Sequence, residues 1–225
     1  ERLAKNYRKH RVFLTGDAAH AHSPAGGQGM NTGLQDAHNL GWKLAGVIRG
    51  ELDVKILKTY QSERRPVAKH VLSMSARMTK MASLKNLMGV MWRNLFIKHV
   101  FNVKKLQARL TRQITEQDIA YPGSRLTGDL SPHQKGRGQF SKLNHANCRF
   151  KLFVLPETID KEVLQSALEE FKDKIDIEFL SDKQEARIQA LNLKKGFCLV
   201  RPDQYIALHA QKVKSVKAYL KRWLA

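Results

Sequence analysis

The distribution of apolar residues predicts a first half dominated by helices. A short apolar run at residues 11–15, RVFLT, predicts a buried strand that ends at Gly16 and Asp17. Apolar residues then recur at three- and four-residue steps, which predicts a helix from about residue 31 or 32 to Arg49, closed by Gly50. The apolar face of this helix is predicted to carry Ala37, Leu40, Gly41, Leu44, Ala45 and Ile48.

Two further helical stretches precede a change in composition. The second helix is predicted from near Asp53, and Pro66 within it marks either a kink or the first turn of a new helix. The third is predicted over roughly residues 84–112. Residues 116–147 are then rich in Gly, Pro, Ser and Asp, so we predict a linker there between domains at 1–115 and 148–225.

The last part of the chain predicts a small α/β domain. Its strands read CRFKLFVL, IDIEFL, FCLVRP and YIALHA, with helices after Asp160, over residues 182–193 and at the end of the chain. The order β-α-β-α-β-β-α, with parallel first strands and a final hairpin, is that of a thioredoxin-like domain. The turn after the first strand reads PETID without cysteine, which excludes thiol-disulfide exchange there.

Composition predicts a globular protein in a reducing compartment. The 225 residues are 42% hydrophobic, which is enough for a real core. The two cysteines, Cys148 and Cys198, lie far apart, so we expect neither a disulfide framework nor a zinc site, and a cytoplasmic location. No long apolar run or signal-like start is evident. Because the chain starts at Glu1 and soon enters a strand, we interpret it as a fragment.

A strong positive charge raises the question of a polyanionic partner. Lysine and arginine total 40 against 20 acidic residues, a net charge of +20. No acidic residue occurs between Pro66 and Thr115, where basic and apolar residues alternate in a helical pattern. Such a stretch can bind nucleic acid, an anionic membrane surface or an acidic protein, or it can be the solvated face of scaffold helices. No nucleic-acid-binding motif accompanies the charge, which favours the solvated face.

The loop after the first strand is the main candidate for a binding site. Asp17, at the carboxyl end of the strand, can accept hydrogen bonds from a sugar or polyol hydroxyl. The glycines of AGGQGMN let the backbone approach a ligand closely, and the N–H groups at the start of the next helix favour negative charge. The spacing from Gly27 to Gly33 is one residue too long for the dinucleotide fingerprint, and no P-loop lysine follows.

The same block resembles a known family. GDAAHAHSPAGGQGMNTGLQDAHNLGWKLA, with the later LKTYQSERRPVA, resembles the C-terminal part of the FAD domain in class A flavoprotein aromatic hydroxylases, the group of phenol hydroxylase and hydroxyphenylpropionate hydroxylase. DIAYPGSRLTGDLSP and CLVRPDQYIAL resemble later segments of the phenol hydroxylase subgroup, although Gln204 stands where that subgroup has glycine. The resemblance implies part of a Rossmann-type FAD-binding domain followed by a thioredoxin-like domain without CxxC.

The resemblance also implies a cofactor and its contacts. Asp17 would bind a ribityl hydroxyl of FAD, and the proline and glycine-rich turn would run beside the isoalloxazine ring, where amides and the helix dipole favour the negative charge of reduced flavin. The residues implied to bind FAD are Gly16, Asp17, Pro24, Gly26, Gly27, Gln28, Gly29, Met30 and Asn31.

The intact enzyme implied by the resemblance would use NAD(P)H and O2 to hydroxylate a small phenolic substrate. This chain lacks the G-x-G-x-x-G motif of the ADP-binding half and has no evident acid, base or nucleophile, so we expect no catalytic residue and little activity from it alone. A homodimer or a complementing N-terminal chain is a possible partner. The alternative is a non-catalytic remnant that serves as an interaction module through its basic helices and thioredoxin-like domain.

Three further groups of residues carry weaker expectations. His20 and His22 form H-x-H, which can bind a metal, but no third ligand has suitable spacing, so we expect structural or flavin-proximal roles. Arg64 and Arg65 are expected to pair with Glu63 or an acidic partner surface. The remaining group is expected to be packing residues: Met74, Met78, Met81, Met88 and Met91.

Overall fold

The computed structural model describes residues 2–22, 27–114, 119–121, 123–127, 149–181 and 195–225. Its contacts divide the chain into two units. The first contains Glu1–Ala37 and Gln61–Ile119, and the second contains His38–Tyr60 and Ala120–Ala225. Most of the linker predicted over residues 116–147 lies outside the described residues.

Short strands open the first unit. They are β1 (Arg2–Leu3), β2 (Arg8–Lys9), β3 (Val12–Phe13) and β4 (His20–Ala21). Strand β1 pairs with β4, and β2 pairs with β3, both antiparallel. The prediction of a buried strand at residues 11–15 is wrong, because β3 has two residues and Val12 is 65% exposed. A two-residue ladder with β2 is the only pairing of β3 among the described residues, and it leaves Val12 uncovered.

Helices follow in the order that the sequence predicts. They are α1 (Gly29–Ile48), α2 (Lys58–Ala82), α3 (Leu87–Asn102) and α4 (Lys104–Ile114). Helix α1 is followed by Gly50 with φ at 71°, a left-handed conformation that favours glycine. Pro66 lies inside α2, which continues on both sides of it. The single helical stretch predicted over residues 84–112 is divided into α3 and α4 at Val103.

The buried residues of α1 are partly apolar, with Leu40 buried as predicted and Trp42 buried as well, and partly polar. Ala37 and Gly41, predicted on its buried face, are exposed, and the side chain of Ile48 is 81% exposed. The predicted face is therefore wrong at these positions, because polar side chains at steps of four, three and four residues are buried instead. These side chains are Thr32, Asp36, Asn39 and Lys43.

Helix α3 exposes a row of large apolar side chains among the described residues. They are Leu87, Met88, Met91, Trp92 and Leu95. The expectation that the methionines pack in a core is wrong for Met81, Met88 and Met91, because no described element covers them, whereas Met74 and Met78 are half-buried. None of the described helices is both long enough and apolar enough to cross a lipid bilayer.

A mixed sheet forms the centre of the second unit. Its elements are β5 (Phe150–Val154), α5 (Lys161–Ala167), β6 (Ile175–Phe179), β7 (Phe197–Val200), β8 (Ile206–Ala210) and α6 (Val213–Trp223). The described strands lie in the order β6-β5-β7-β8, with β5 and β6 parallel and the other neighbours antiparallel. The predicted strands, parallel pair and hairpin are confirmed. The helix predicted over residues 182–193 lies outside the described residues.

The segment His38–Tyr60 contributes to the core of the second unit. The backbone N–H of Asp53 donates to the carbonyl of Trp223 at 3.0 Å, and Leu52 forms an isolated bridge with Leu224. The ring of Trp42 packs edge-on against Phe150, with centroids 5.8 Å apart. This unit is therefore assembled from stretches that are distant in sequence.

The turn between β7 and β8 contains a residue in the left-handed conformation. Gln204 has φ at 66°, its N–H donates to the carbonyl of Arg201 at 2.9 Å, and the N–H of Arg201 donates to the carbonyl of Tyr205 at 2.8 Å. The turn thus forms with glutamine at the position where the phenol hydroxylase subgroup has glycine, at a backbone angle that costs a residue with a side chain about 1–2 kcal/mol.

A fully buried arginine organises the polar interior of the second unit. Arg201 donates to Asp203 from Nε to Oδ1 at 2.9 Å and from Nη2 to Oδ2 at 2.6 Å. Its guanidinium carbon lies between 5.4 and 5.5 Å from the ring centroids of Trp42, Tyr121 and Tyr205. The ion pair and the aromatic rings together satisfy this cation inside the core.

Candidate functional site

A pocket of about 500 Å³ lies where β4, the Gly16–Ala18 turn and the start of α1 meet. Its described lining consists of Asp17, Ala21, His22, Gly27, Gln28, Gly29 and Met30. The structure therefore brings together five of the predicted site residues, while Gly16 precedes Asp17 and Asn31 lies in the first turn of α1. The other two, Pro24 and Gly26, lie outside the described residues.

Glycine is required where the backbone turns into this pocket. Gly27 has φ at 63°, and a Cβ atom built on it would meet no atom of the described residues within 4 Å, so no described side chain crowds the backbone there. A Cβ atom on Gly33 would lie 3.3 Å from the Cα atom of Gly16. The turn that carries Asp17 is therefore seated directly against α1.

Helix α1 presents its N-terminus at the pocket. The first intrahelical bond runs from the N–H of Thr32 to the carbonyl of Gln28 at 3.0 Å, and the hydroxyl of Thr32 donates to the same carbonyl. The N–H groups of Gly29, Met30 and Asn31 precede this bond, so they have no acceptor within the helix. Partial positive charge at this end favours an electron-rich or anionic group in the pocket.

The carboxylate of Asp17 is the acidic group of the pocket lining. The residue is exposed and lies in the Gly16–Ala18 turn, directly after the extended segment that contains β3. Its oxygens can accept hydrogen bonds from the hydroxyl groups of a ligand. The pocket thus combines an acceptor of hydroxyl hydrogens at one side with backbone donors at the start of α1.

Behind the pocket, buried polar side chains form a chain of short contacts. The Nε2 atom of His22 lies 2.6 Å from Nδ1 of His20, whose Nε2 atom lies 2.5 Å from Oδ2 of Asp36. On the other side of the carboxylate, Nε of Arg64 donates to Oδ1 of Asp36 at 2.6 Å. The side chains of His20, Asp36 and Arg64 are fully buried.

Sequence reasoning singled out the two histidines of this cluster and Arg64 but missed the carboxylate that connects them. Asp36 was not singled out, and the expected pairing of Arg64 with a partner surface is wrong because Arg64 is fully buried. Arg65 donates instead to the backbone carbonyl of Ala4 at 3.1 Å. A usable signal was present, because Asp36 belongs to the polar stripe of α1 and such a stripe in a buried helix requires buried partners.

The H-x-H pair has no metal-site geometry in the described part of the chain. No group of three or more His, Cys, Asp and Glu side chains there is arranged to hold a metal ion. The rings of His20 and His22 contact each other edge-on, with centroids 4.7 Å apart, and His22 lines the pocket. The only described cysteine, Cys198, is buried in β7, and burial raises the pKa of its thiol.

Comparison with known families identifies the chain. The model of an FAD-binding domain matches residues 1–75, and the model of the C-terminal domain of aromatic-ring hydroxylases matches residues 121–225. The chain belongs to the FAD-dependent aromatic hydroxylases. The family resemblance carried by the GDAAH and VRPDQY blocks is confirmed, and FAD is the cofactor of the family.

Individual relatives agree with this assignment. A 12-dehydrotetracycline 5-monooxygenase/anhydrotetracycline 6-monooxygenase of Streptomyces rimosus is 36% identical over 217 residues, covering 91% of this chain and 41% of that protein. A rifampicin monooxygenase of Rhodococcus hoagii is 47% identical over 120 residues, covering 53% of this chain and 25% of that protein.

The solved structure of OxyS anhydrotetracycline hydroxylase from Streptomyces rimosus matches with a TM-score of 0.72 at 31% identity, covering 98% of this chain and 46% of that one. The chain therefore spans less than half the length of these relatives.

The pocket residues fit an FAD cofactor chemically. The cofactor carries a ribityl chain with hydroxyl groups and a flat ring whose N1 and C2 carbonyl edge becomes negatively charged on reduction. Asp17 supplies an acceptor for hydroxyls, the open backbone at Gly27 permits close approach to a flat ring, and the start of α1 supplies donors for its negative edge. No basic side chain is needed for these contacts.

Proposed function

We propose that this chain supplies the ribityl and isoalloxazine side of the FAD site in an aromatic hydroxylase. The observation that supports it most directly is the pocket that Asp17 and the glycine-rich start of α1 line together, within the segment matched by the FAD-binding model. Asp17 accepts a hydrogen bond from a ribityl hydroxyl. The backbone of Gly27, Gln28 and Gly29 lies along the ring.

The remaining predicted residues complete the same site. Gly16 permits the turn that aims Asp17, since its φ is 56°. Met30 and Asn31 contribute backbone N–H groups at the helix start, which stabilise negative charge at the ring edge. Pro24 and Gly26 are proposed from the family resemblance to lie beside the ring, and they belong to the part of the loop outside the described residues.

The whole enzyme is proposed to be a monooxygenase for a small phenolic or other aromatic substrate. When bound, FAD would supply the redox chemistry for insertion of one oxygen atom from O2 into the ring, with NAD(P)H as the electron donor. This chain binds and orients the cofactor and contributes no acid, base or nucleophile, so we expect little or no activity from it alone. The proposed partner is a complementing N-terminal chain, which would complete the enzyme, or a second copy of this chain in a homodimer, and the proposed location is the cytoplasm.

The fold is proposed to follow the same family. The first part is the end of a Rossmann-type FAD-binding domain over residues 1–115, followed by a linker over 116–147. The last part, residues 148–225, is a thioredoxin-like domain without CxxC. The strand order β6-β5-β7-β8, with one parallel pair and a final hairpin, supports this proposal.

Flavin binding by the purified chain tests the proposal. We expect the fluorescence of FAD and of riboflavin to be quenched or shifted on titration with the chain, and we expect Asp17→Ala to weaken the binding of both at least tenfold, because a hydrogen bond to a charged group contributes about 1.5–3 kcal/mol. Riboflavin lacks phosphate, so it separates recognition of the ribityl chain from attraction of FAD to a chain of charge +20.

Asp160→Ala is the matched control. Asp160 is an exposed carboxylate outside the pocket and makes no side-chain hydrogen bond to the helix that follows it, so flavin binding should remain unchanged. Equal binding by the wild-type chain and Asp17→Ala would contradict the assigned role of Asp17. Binding of FAD that is abolished by moderate salt, together with no binding of riboflavin, would indicate electrostatic attraction alone.

A further inference from the structure

A series of buried hydrogen bonds from Arg64 to His22 connects the interior of the first unit with the pocket wall. Arg64 comes from α2, Asp36 from α1 and His20 from β4, and His22 follows β4. Each link is 2.5 or 2.6 Å long. Only His22, the last residue in this series of hydrogen bonds, is part of the described pocket lining.

The direction of each hydrogen bond follows from the chemistry of the carboxylate. An ionised carboxylate can only accept, so Arg64 donates from Nε and His20 donates from Nε2. The charges of Asp36 and Arg64 already balance, and a further cation in this buried cluster would be costly. His20 is therefore neutral, with its proton on Nε2 and a lone pair on Nδ1.

The lone pair of His20 fixes the state of the next ring. Because Nδ1 of His20 accepts, Nε2 of His22 must donate across the 2.6 Å contact. In a neutral His22 ring the lone pair is then on Nδ1. Any hydrogen bond that this atom makes is one that it accepts, and the atom itself is buried in the protein without cofactor.

Additional contacts fix the positions of the side chains in this series of hydrogen bonds. Nη2 of Arg64 donates to the carbonyl of Thr32 at 3.2 Å, so the guanidinium is fixed to α1 at a second point. The backbone N–H of Gly16 approaches Oδ2 of Asp36 at 3.4 Å, next to the turn of Asp17. The ring of His22 lies close to Gly29, where a built Cβ atom would be 3.7 Å from Cδ2.

We propose that Asp36 and Arg64 are positioning residues that set, through His20, the tautomer of His22 in the wall of the flavin pocket. The functional part of this inference rests on the proposed flavin site, whereas the tautomer itself is a property of the chain without cofactor. Asp36 and Arg64 act without touching the ligand, and His22 is the member of this cluster that lines the pocket.

Asp36→Asn is the decisive variant because Arg64 dictates how the new amide must be oriented. The Nε–H group of Arg64 requires an acceptor, so the oxygen of the new amide stays toward Arg64 and its NH2 group faces His20. Nε2 of His20 must then accept, its proton moves to Nδ1, and Nε2 of His22 must accept in turn. Both rings therefore change from the Nε2–H to the Nδ1–H tautomer.

The measurement is ¹⁵N NMR of the histidine ring nitrogens in the full chain without cofactor. The signals are assigned with His20→Gln and His22→Gln. In the wild-type chain we expect Nε2 protonated and Nδ1 unprotonated in both rings, and in Asp36→Asn the reverse. Asp53→Asn, which removes a carboxylate paired with Lys55 in the second unit, is the control and should leave both tautomers unchanged.

The wild-type spectrum alone is already a test if Asp36→Asn does not fold. A doubly protonated His20, or a wild-type His22 protonated on Nδ1, would overturn the proposal. Unchanged tautomers in a folded Asp36→Asn variant would overturn it as well. None of these results depends on flavin.

Flavin binding then tests the functional part. Asp36→Asn should weaken riboflavin binding about tenfold or more, while Asp53→Asn should bind as the wild-type chain does. Reversed tautomers with unchanged riboflavin affinity would refute an effect of the His22 tautomer on flavin binding. A wild-type chain that binds no flavin would refute the proposed flavin site, and the NMR result would still decide whether Asp36 and Arg64 set the tautomer.

Discussion

Replacement of Asp203 by asparagine is expected to destabilise the second unit strongly. Asp203 is the carboxylate that Arg201 contacts with both Nε and Nη2, and both residues are buried. Asparagine has nearly the same shape, so the substitution removes the charge without creating a cavity. It leaves the guanidinium of Arg201 inside the core without a counter-charge.

The magnitude follows from the burial of the arginine. Removal of one partner from a buried ion pair costs about 3–5 kcal/mol, because the remaining charge is uncompensated. The rings of Trp42, Tyr121 and Tyr205 already surround Arg201 in the wild-type chain, so they add nothing new in the variant. Since the amide oxygen of asparagine can still accept one hydrogen bond, we expect a loss of about 3 kcal/mol, at the lower end of this range.

Urea unfolding followed by tryptophan fluorescence measures this loss. Trp42 is a suitable reporter because its ring centroid lies 5.4 Å from the guanidinium carbon of Arg201. With a slope of about 1–3 kcal/mol/M, the unfolding midpoint should fall by roughly 1–3 M.

The double variant Arg201→Met with Asp203→Leu is the control. It removes both charges and should be more stable than Asp203→Asn. A loss below about 1 kcal/mol in Asp203→Asn, or a double variant that is less stable still, would refute the argument from charge burial.

Two further predictions concern the same unit. Gln204→Gly should stabilise it by about 0.5–1 kcal/mol in urea unfolding. Glycine removes the cost of the left-handed backbone angle, about 1–2 kcal/mol, but the greater conformational freedom of glycine in the unfolded chain offsets part of this gain. A lower unfolding midpoint would contradict this prediction. Burial lowers the pKa of His209 to about 4, below its ordinary value of 6.5, so the unfolded chain binds the proton more readily than the folded one. His209 should therefore reduce stability as the pH falls from about 6.5 to about 4, and His209→Leu should weaken this pH dependence; an unchanged difference between urea midpoints at pH 5 and pH 7.5 would count against it.

The second unit illustrates what apolar patterning can predict. Strand β7 is a continuous apolar run, β5 is interrupted only by Lys151, and both strands have neighbours on both sides in the sheet. Turn residues separate these runs clearly, so the hairpin and the parallel pair follow from order and length. In contrast, RVFLT has the composition of a buried strand, but its exposure depends on which elements cover it, and such partners are not encoded in the run itself.

Helix α1 shows why Asp36 escaped prediction. Its extent was predicted correctly within a few residues, but the face that it buries carries Asp36, Asn39 and Lys43. A pattern method assigns polar residues to solvent, whereas here hydrogen bonds satisfy them in the interior: Lys43 donates to Asn39 at 2.8 Å, and Arg64 donates to Asp36. The pocket loop itself was predictable because glycine and aspartate have few other reasons to occur in that order.

The second unit also affects how the protein can be divided for expression. Its interior takes Trp42 and Leu52 from a segment that precedes the sheet by about a hundred residues of chain, and Leu52 meets Leu224 next to the last residue. A cut at any single point between α4 and β5 therefore separates apolar partners. Both products then expose apolar surface that is buried in the intact unit. Circular permutation or co-expression of two overlapping fragments keeps these partners together, whereas a conventional truncation does not.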